Sequence, residues 1–182
     1  MIRPLLVLDL DETLWYGVPD SSAAGGLRLL LRPHLREFLE SVSAHYDLAV
    51  WTAASEDWMR EGLIQLHART SFDLASAGFF LWHRGRCTVR RGENGGYSVC
   101  KPARKFKASW IRSCYPPERI LAVDDQPANY ASGYGHLVRV SEWTGDLSDD
   151  ELRALASYLA SIVSEPDLRR LEKRGWRGRV AT

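Results

Sequence analysis

The sequence predicts an α/β domain with a mostly parallel sheet, and three observations predict it. Short, largely apolar runs recur at Leu5–Leu8, Asp47–Trp51 and Arg119–Val123, and strands buried on both faces read in this way. Between the runs lie stretches whose apolar residues stand three and four apart, the spacing of one helix face. The runs also stop abruptly at polar residues, and open α/β sheets bind their ligands at the carboxyl ends of strands.

Taken in order, Leu5–Leu8 is the first strand, and it runs into Asp9-Leu10-Asp11-Glu12-Thr13-Leu14. Residues two apart can converge on one point in the loop that ends a strand. Gly17–Gly26 is rich in small residues and reads as a loop. Leu27–Leu31 reads as a short strand. Pro33 then opens a helix with Leu35, Phe38, Leu39 and Val42 on one face. Asp47–Trp51 is a buried strand that delivers Thr52-Ala53-Ala54-Ser55. Ser55 fits an N-cap for a helix to about His67, with Trp58, Leu63 and Leu66 as a core stripe. Phe79–Trp82 reads as a strand, and Arg84–Val99 as a hairpin turning at Glu93-Asn94-Gly95-Gly96. Lys101–Ser113 reads as a helix with Phe106, Trp110 and Ile111 on one side. Arg119–Val123 is the next buried strand, ending in Asp124-Asp125, and Leu137–Val140 is the last. Ser148-Asp149-Asp150-Glu151 fits a capping box for a helix with Leu152, Leu155, Leu159 and Ile162 facing inward. Pro166 breaks that helix, and a short basic helix or frayed tail follows.

Bulk properties narrow the function. The 182 residues suit one domain, and 45% hydrophobic and 26% charged content is ordinary for a soluble globular protein. A net charge of +1 supplies no global field to attract nucleic acid or membrane, so neither is expected as a partner. Between Arg169 and Arg179 six basic residues face one acid, Glu172, which fits a solvated end of the chain. Cys87, Cys100 and Cys114 are widely spaced and include no CxxC, which argues against a zinc site and for free thiols in a reducing compartment. The early apolar run is short and ends in acids, unlike a signal peptide, and a cytoplasmic location is expected. No GxGxxG or GxxxxGK[ST] follows a strand, so neither a dinucleotide site nor a P-loop is supported.

Three strands therefore end in polar groups: Asp9 and Asp11, Thr52, and Asp124 and Asp125. Parallel neighbours bring such ends together. Four clustered carboxylates repel one another unless a cation lies among them, and hard oxygen donors select Mg²⁺. An Asp carboxylate can accept a phosphoryl group, and a second carboxyl can protonate the leaving oxygen and then deprotonate water.

These residues carry a family resemblance. DLDETL at Asp9–Leu14 matches the DxDx[T/V] signature of the haloacid dehalogenase superfamily. With VWTAAS at Val50–Ser55, GRCT at Gly85–Thr88, CKP at Cys100–Pro102 and ILAVDDQP at Ile120–Pro127, the chain resembles the branch of RNA polymerase II C-terminal-domain phosphatase-like (NLI-interacting-factor-like) proteins. YGHLVRV at Tyr134–Val140 and EWTGDLSDDEL at Glu142–Leu152 are similar to its small bacterial members. The resemblance implies a Rossmann-like three-layer fold over residues 1–165, followed by a basic segment over 166–182. Leu14–Trp51 leaves no room for a large cap domain, and the Arg84–Val99 hairpin is the one small insertion expected.

The resemblance also implies roles. Asp9 would be the nucleophile and a Mg²⁺ ligand. Asp11 would be the general acid and base, lending its backbone carbonyl to the metal. Thr52 and Ala53 would bind the phosphoryl group, Asp124 and Asp125 would complete the acidic metal site, and Thr13 would brace the loop. Lys101 fits the local pattern for the phosphate-binding lysine, but Lys105 fits the spacing to Asp124 better, and Lys107 is a third option. Which of Asp124 and Asp125 touches the metal stays open. An uncapped site suits a phosphoprotein, with Trp15, Tyr16, Trp82 and His83 as candidates to line the approach and buried packing as the equal alternative for the tryptophans. The competing readings are a small-molecule phosphatase of the same mechanism and a non-catalytic phosphoprotein-binding module. The oligomeric state is unknown from sequence.

Overall fold

The computed structural model describes residues 3–22, 27–91 and 96–180. Five strands form a parallel sheet: β1 (Leu5–Leu8), β4 (Asp47–Trp51), β5 (Gly78–Trp82), β8 (Ile120–Asp124) and β9 (Leu137–Arg139). Their spatial order is β5-β4-β1-β8-β9, so β1 sits at the centre between β4 and β8. Side chains alternate across a strand. Leu6 and Leu8 enter one core and Leu5 and Val7 the other, which is why the run is apolar at every position. The first core is closed by α1 (Leu35–Ser43), α2 (Glu56–Thr70) and α3 (Glu151–Ile162). The second is closed by Phe106, Ile111, Tyr115 and Tyr130 on shorter turns. The result is the expected three-layer α/β fold without a large cap. No described helix is long and apolar enough to cross a membrane.

Tertiary contacts changed five readings. Gly17–Pro19 is not loop: β2 (Trp15–Pro19) pairs antiparallel with β3 (Leu27–Leu31). Gly17 and Pro19 are poor strand formers, but the indole of Trp58 packs over Gly17, and Pro19 sits at the strand's end, where no ladder bond is lost. The structure thus carries two small ribbons rather than one. The second pairs β6 (Thr88–Arg91) with β7 (Tyr97–Cys100), and its turn residues Glu93, Asn94 and Gly95 lie outside the described residues.

Lys101–Ser113 is not one helix. It splits into a 3₁₀ turn at Ala103–Lys107 and a single helical turn, Ser109–Arg112, around an extended Ala108. On a continuous helix Phe106 and Ile111 would point roughly 140° apart. The break turns both inward and leaves Trp110 46% exposed.

The capping box does not form. Asp149 gives both carboxylate oxygens to Arg32, at 2.8 Å each, and the helix starts at Glu151. Ser148 donates to Asp146 instead.

The segment after Pro166 is not a frayed tail, and its helical part is reduced to a single turn. It makes one 3₁₀ turn, Trp176–Arg179, and Leu168 and Trp176 are buried in the first core. The Leu168 amide donates to the Glu118 carbonyl at 2.9 Å, and the Trp176 indole donates to the Arg139 carbonyl at 2.7 Å. Its lysine, Lys173, is itself buried, donating to the carbonyls of Leu168 and Leu171 at 2.8 Å each.

Candidate active site

Strand register assembles the site. Leu8 is level with Val50 on one side and Val123 on the other, so the residues that follow each strand emerge at one edge. The Asp9 amide donates to the Val123 carbonyl at 3.0 Å, which sets Asp9 beside Asp124. Asp9, Asp124 and Asp125 are all buried, and each offers a carboxylate oxygen within 4.8 Å of the others'.

The β6–β7 ribbon supplies the counter-charge. Lys101 directly follows β7, and its backbone amide is anchored on the Asn129 carbonyl at 3.0 Å. Its ammonium lies 2.6 Å from Asp9 Oδ1 and 2.7 Å from Asp124 Oδ2, with no solvent exposure. Lys105, the alternative by spacing, instead donates to the Arg86 carbonyl at 2.5 Å, and Lys107 is exposed.

One lysine among three acids leaves excess negative charge. Burial, reinforced by Asp124 and opposed by Lys101, holds the Asp9 carboxyl well above its ordinary range. Burial and Asp124 push Asp125 up as well. Burial pulls the Lys101 ammonium down, but Asp9 and Asp124 outweigh it and keep it charged. A buried, all-oxygen set with uncompensated charge fits a hard divalent cation such as Mg²⁺. Asp124 is held by the Asn129 amide, at 2.9 and 3.2 Å, and by the Gln126 backbone N–H at 2.9 Å. Asp125 accepts from Thr13 Oγ1 at 3.1 Å and from Gln126 Nε2 at 2.9 Å. Thr13 therefore ties the first loop to the second acid pair. Asn129 and Gln126 were not singled out from sequence, although both follow the Asp pair within five residues.

Asp11 stands apart from this cluster. Glu12 adopts a left-handed φ of 61°, turning the chain tightly after β1, and the amides of Thr13, Leu14 and Trp15 all return to the Leu10 carbonyl. Asp11 Oδ2 accepts from Thr52 Oγ1 at 3.3 Å. Its Oδ1 accepts two indole N–H groups, from Trp58 at 2.6 Å and Trp15 at 3.0 Å. Thr52 leaves β4 with its amide on the Trp82 carbonyl at 2.8 Å, and its hydroxyl accepts the Ala54 N–H at 3.0 Å. The Ala53 carbonyl is held by Arg84 Nε at 2.7 Å.

Two of the aromatic readings change. Trp58 is not simply core: Ser55 caps α2 as expected, and the first turn of a helix that starts at a strand end faces the site. Trp82 does not line an approach, since it is buried and stacked on Phe80 with Trp51 edge-on.

The two indoles are packed reciprocally on glycines. A Cβ at Gly62, one turn beyond Trp58, would lie 2.5 Å from the Trp15 ring, and one at Gly17 would lie 3.0 Å from the Trp58 ring. Gly62→Ala should therefore destabilise the fold by about 1–3 kcal/mol through overpacking, despite a helix-propensity gain of roughly 0.5–1 kcal/mol. Denaturant unfolding measures this; a more stable variant would show that the Trp15 ring is free to move.

The comparisons agree with the geometry. Residues 4–169 match the family model described as NLI interacting factor-like phosphatase. The chain is 28% identical over 178 residues to a ubiquitin-like domain-containing CTD phosphatase of Arabidopsis thaliana, covering 96% of this chain and 51% of that protein. It is 30% identical over 179 residues to ubiquitin-like domain-containing CTD phosphatase 1 of Drosophila melanogaster, covering 96% and 54%. The chain thus spans about half the length of these relatives. The structure of Fcp1, an essential RNA polymerase II CTD phosphatase, superposes with a TM-score of 0.53 at 16% identity over 89% of this chain and 48% of that one, a likeness of fold. With the family model covering nearly all of the sheet and the four acids at its edge, the chain belongs to the NLI interacting factor-like phosphatase family.

Proposed function

We propose that this chain is a Mg²⁺-dependent phosphomonoester hydrolase that works through a phospho-aspartyl intermediate at Asp9 and acts on phosphoserine or phosphothreonine in proteins. The observation that carries the reading is Lys101 bridging Asp9 and Asp124, with Asp125 beside them and the Asp11–Thr52 pair on the neighbouring strand end. Asp9, Asp124 and Asp125, with the Asp11 backbone carbonyl, would hold the metal. Bound there, Mg²⁺ supplies positive charge against the phosphoryl oxygens.

The chain's own groups carry the steps. Lys101 and the Thr52 hydroxyl, with the Ala53 backbone, hold the phosphoryl oxygens. An Asp9 oxygen attacks phosphorus while the P–O bond to the leaving group breaks, and Asp11 gives that oxygen its proton. Asp11 then takes a proton from the water that attacks the phosphoryl-Asp9, releasing inorganic phosphate and restoring the Asp9 carboxylate and the protonated Asp11.

Three features support a protein substrate. The relatives named above are CTD phosphatases. Ribbons, not a lid domain, border the site. Arg84–Lys107, which includes the ribbon beside Thr52, carries eight basic residues and one acid, a charge balance suited to an acidic phosphopeptide.

Activity should be measured with and without Mg²⁺ on phosphopeptides and on a panel of phosphorylated metabolites. The expected result is metal-dependent phosphate release with the higher kcat/KM on phosphopeptides. A preference for a metabolite would favour the small-molecule reading, and inactivity on every substrate with Mg²⁺ would leave a binding module.

A further inference from the structure

We propose that Trp15 and Trp58 are positioning residues that clamp Asp11, so that only its Oδ2 is free to move the proton; the inference rests on the phosphatase reading above. An indole N–H is a donor and nothing else. Both donors reach the same oxygen, Oδ1, at 3.0 and 2.6 Å, and they come from different elements, the start of β2 and the first turn of α2. A carboxylate held on one oxygen from two directions cannot rotate about its Cβ–Cγ bond without losing both bonds. Oδ2 is then fixed toward Thr52, whose hydroxyl is its partner at 3.3 Å.

The rings are themselves held. Trp15 is fully buried and lies against Gly62, while Trp58 lies against Gly17, so each indole packs where the other's element has no side chain. This arrangement explains two glycines that helix and strand propensity alone disfavour.

In the first step the Oδ2 proton passes to the leaving alkoxide as its P–O bond breaks and the Asp9–phosphorus bond forms. In the second step the same oxygen accepts a proton from the attacking water. The Thr52 hydroxyl has one proton to donate. When it turns to the phosphoryl group, Oδ2 is released on the side where the leaving oxygen lies, and Oδ1 stays satisfied by the indoles.

The test is a comparison of two leaving groups. Trp58→Phe keeps the ring and removes the donor. With Mg²⁺ present, its kcat/KM on a phosphoserine peptide, which reports the first step and not the shared second one, should fall about 10-fold to 100-fold, because an alkoxide needs a proton to leave. On dinitrophenyl phosphate, whose phenolate leaves unprotonated, kcat/KM should fall under about threefold. Trp15→Phe should show the same split. Equal losses on the two substrates, or no loss, overturn the clamp. An inactive wild-type protein overturns the phosphatase reading itself and the clamp with it. Should both variants fail to fold, hydrogen exchange in the wild-type protein decides. The Trp58 indole N–H should exchange far more slowly than that of Trp110, and equal rates overturn the inference.

Discussion

Asp9→Asn should abolish phosphate release from phosphopeptide and aryl phosphate alike, a loss on the order of 10⁴-fold or more, as for other removed nucleophiles. Asn keeps the shape of Asp and an oxygen for Lys101, so the fold should survive. Asp9 shares one ammonium with Asp124, and burial holds its carboxyl well above its ordinary range. Removing that charge relieves a repulsion, and the unfolding temperature should be unchanged or higher. A steady-state assay beside a thermal melt reads both effects. Full residual activity would rule out an aspartyl intermediate at this position. Lost activity with a lower melting temperature would instead point to Asp9 as a structural anchor.

Lys101→Met carries the second large effect, this time on stability. The ammonium is fully buried and bridges two acids, so its loss leaves them in a dry site with no counter-charge. Breaking a buried pair from one side costs about 3–5 kcal/mol. Lys105→Met, at a partly exposed lysine that bonds one carbonyl, should cost under about 0.5–1 kcal/mol and leave turnover intact. Denaturant unfolding of the two variants separates the lysines that the sequence left open.

The Lys101→Met deficit should also depend on pH. Asp9 is already held above 3.8 by burial, and without Lys101 it rises further. A carboxyl with a raised folded pKa binds more protons folded than unfolded, so stability falls as pH rises. The deficit should shrink on acidification through the raised value toward 3.8 and be largest near neutrality. A pH-independent deficit would mean that Lys101 contributes packing rather than charge.

Much of this was written locally. The apolar runs of β1, β4 and β8 name themselves because strands buried on both faces have no polar positions to hide them. Asp9, Thr52 and Asp124 follow from the same runs, since a parallel sheet gathers its carboxyl ends at one edge. The Ser55 cap and the apolar face of α1 are equally local, set by one side chain and by helical spacing. β2 was not legible, because Gly17 and Pro19 read as turn residues until a tryptophan from another element covers Gly17 and pairing with β3 leaves Pro19 at the strand's end. The capping box failed because Ser148 is taken by Asp146, and the Glu151 carboxylate by the Ser141 amide and by Arg177, a partner 26 residues away.

The sequence alone therefore determined the class of fold and the kinds of groups at its edge, because both follow from short-range pattern and from strand direction. Only the tertiary structure decided which lysine enters the acid cluster and which oxygen of Asp11 is left free. Those outcomes depend on a ribbon whose end is anchored on the Asn129 carbonyl and on two indoles that converge from separate elements. Lys101 and Trp58 reach their acids from distant parts of the chain, where no spacing rule reaches, and Trp15, only four residues from Asp11, is brought back to it by the tight turn at Glu12.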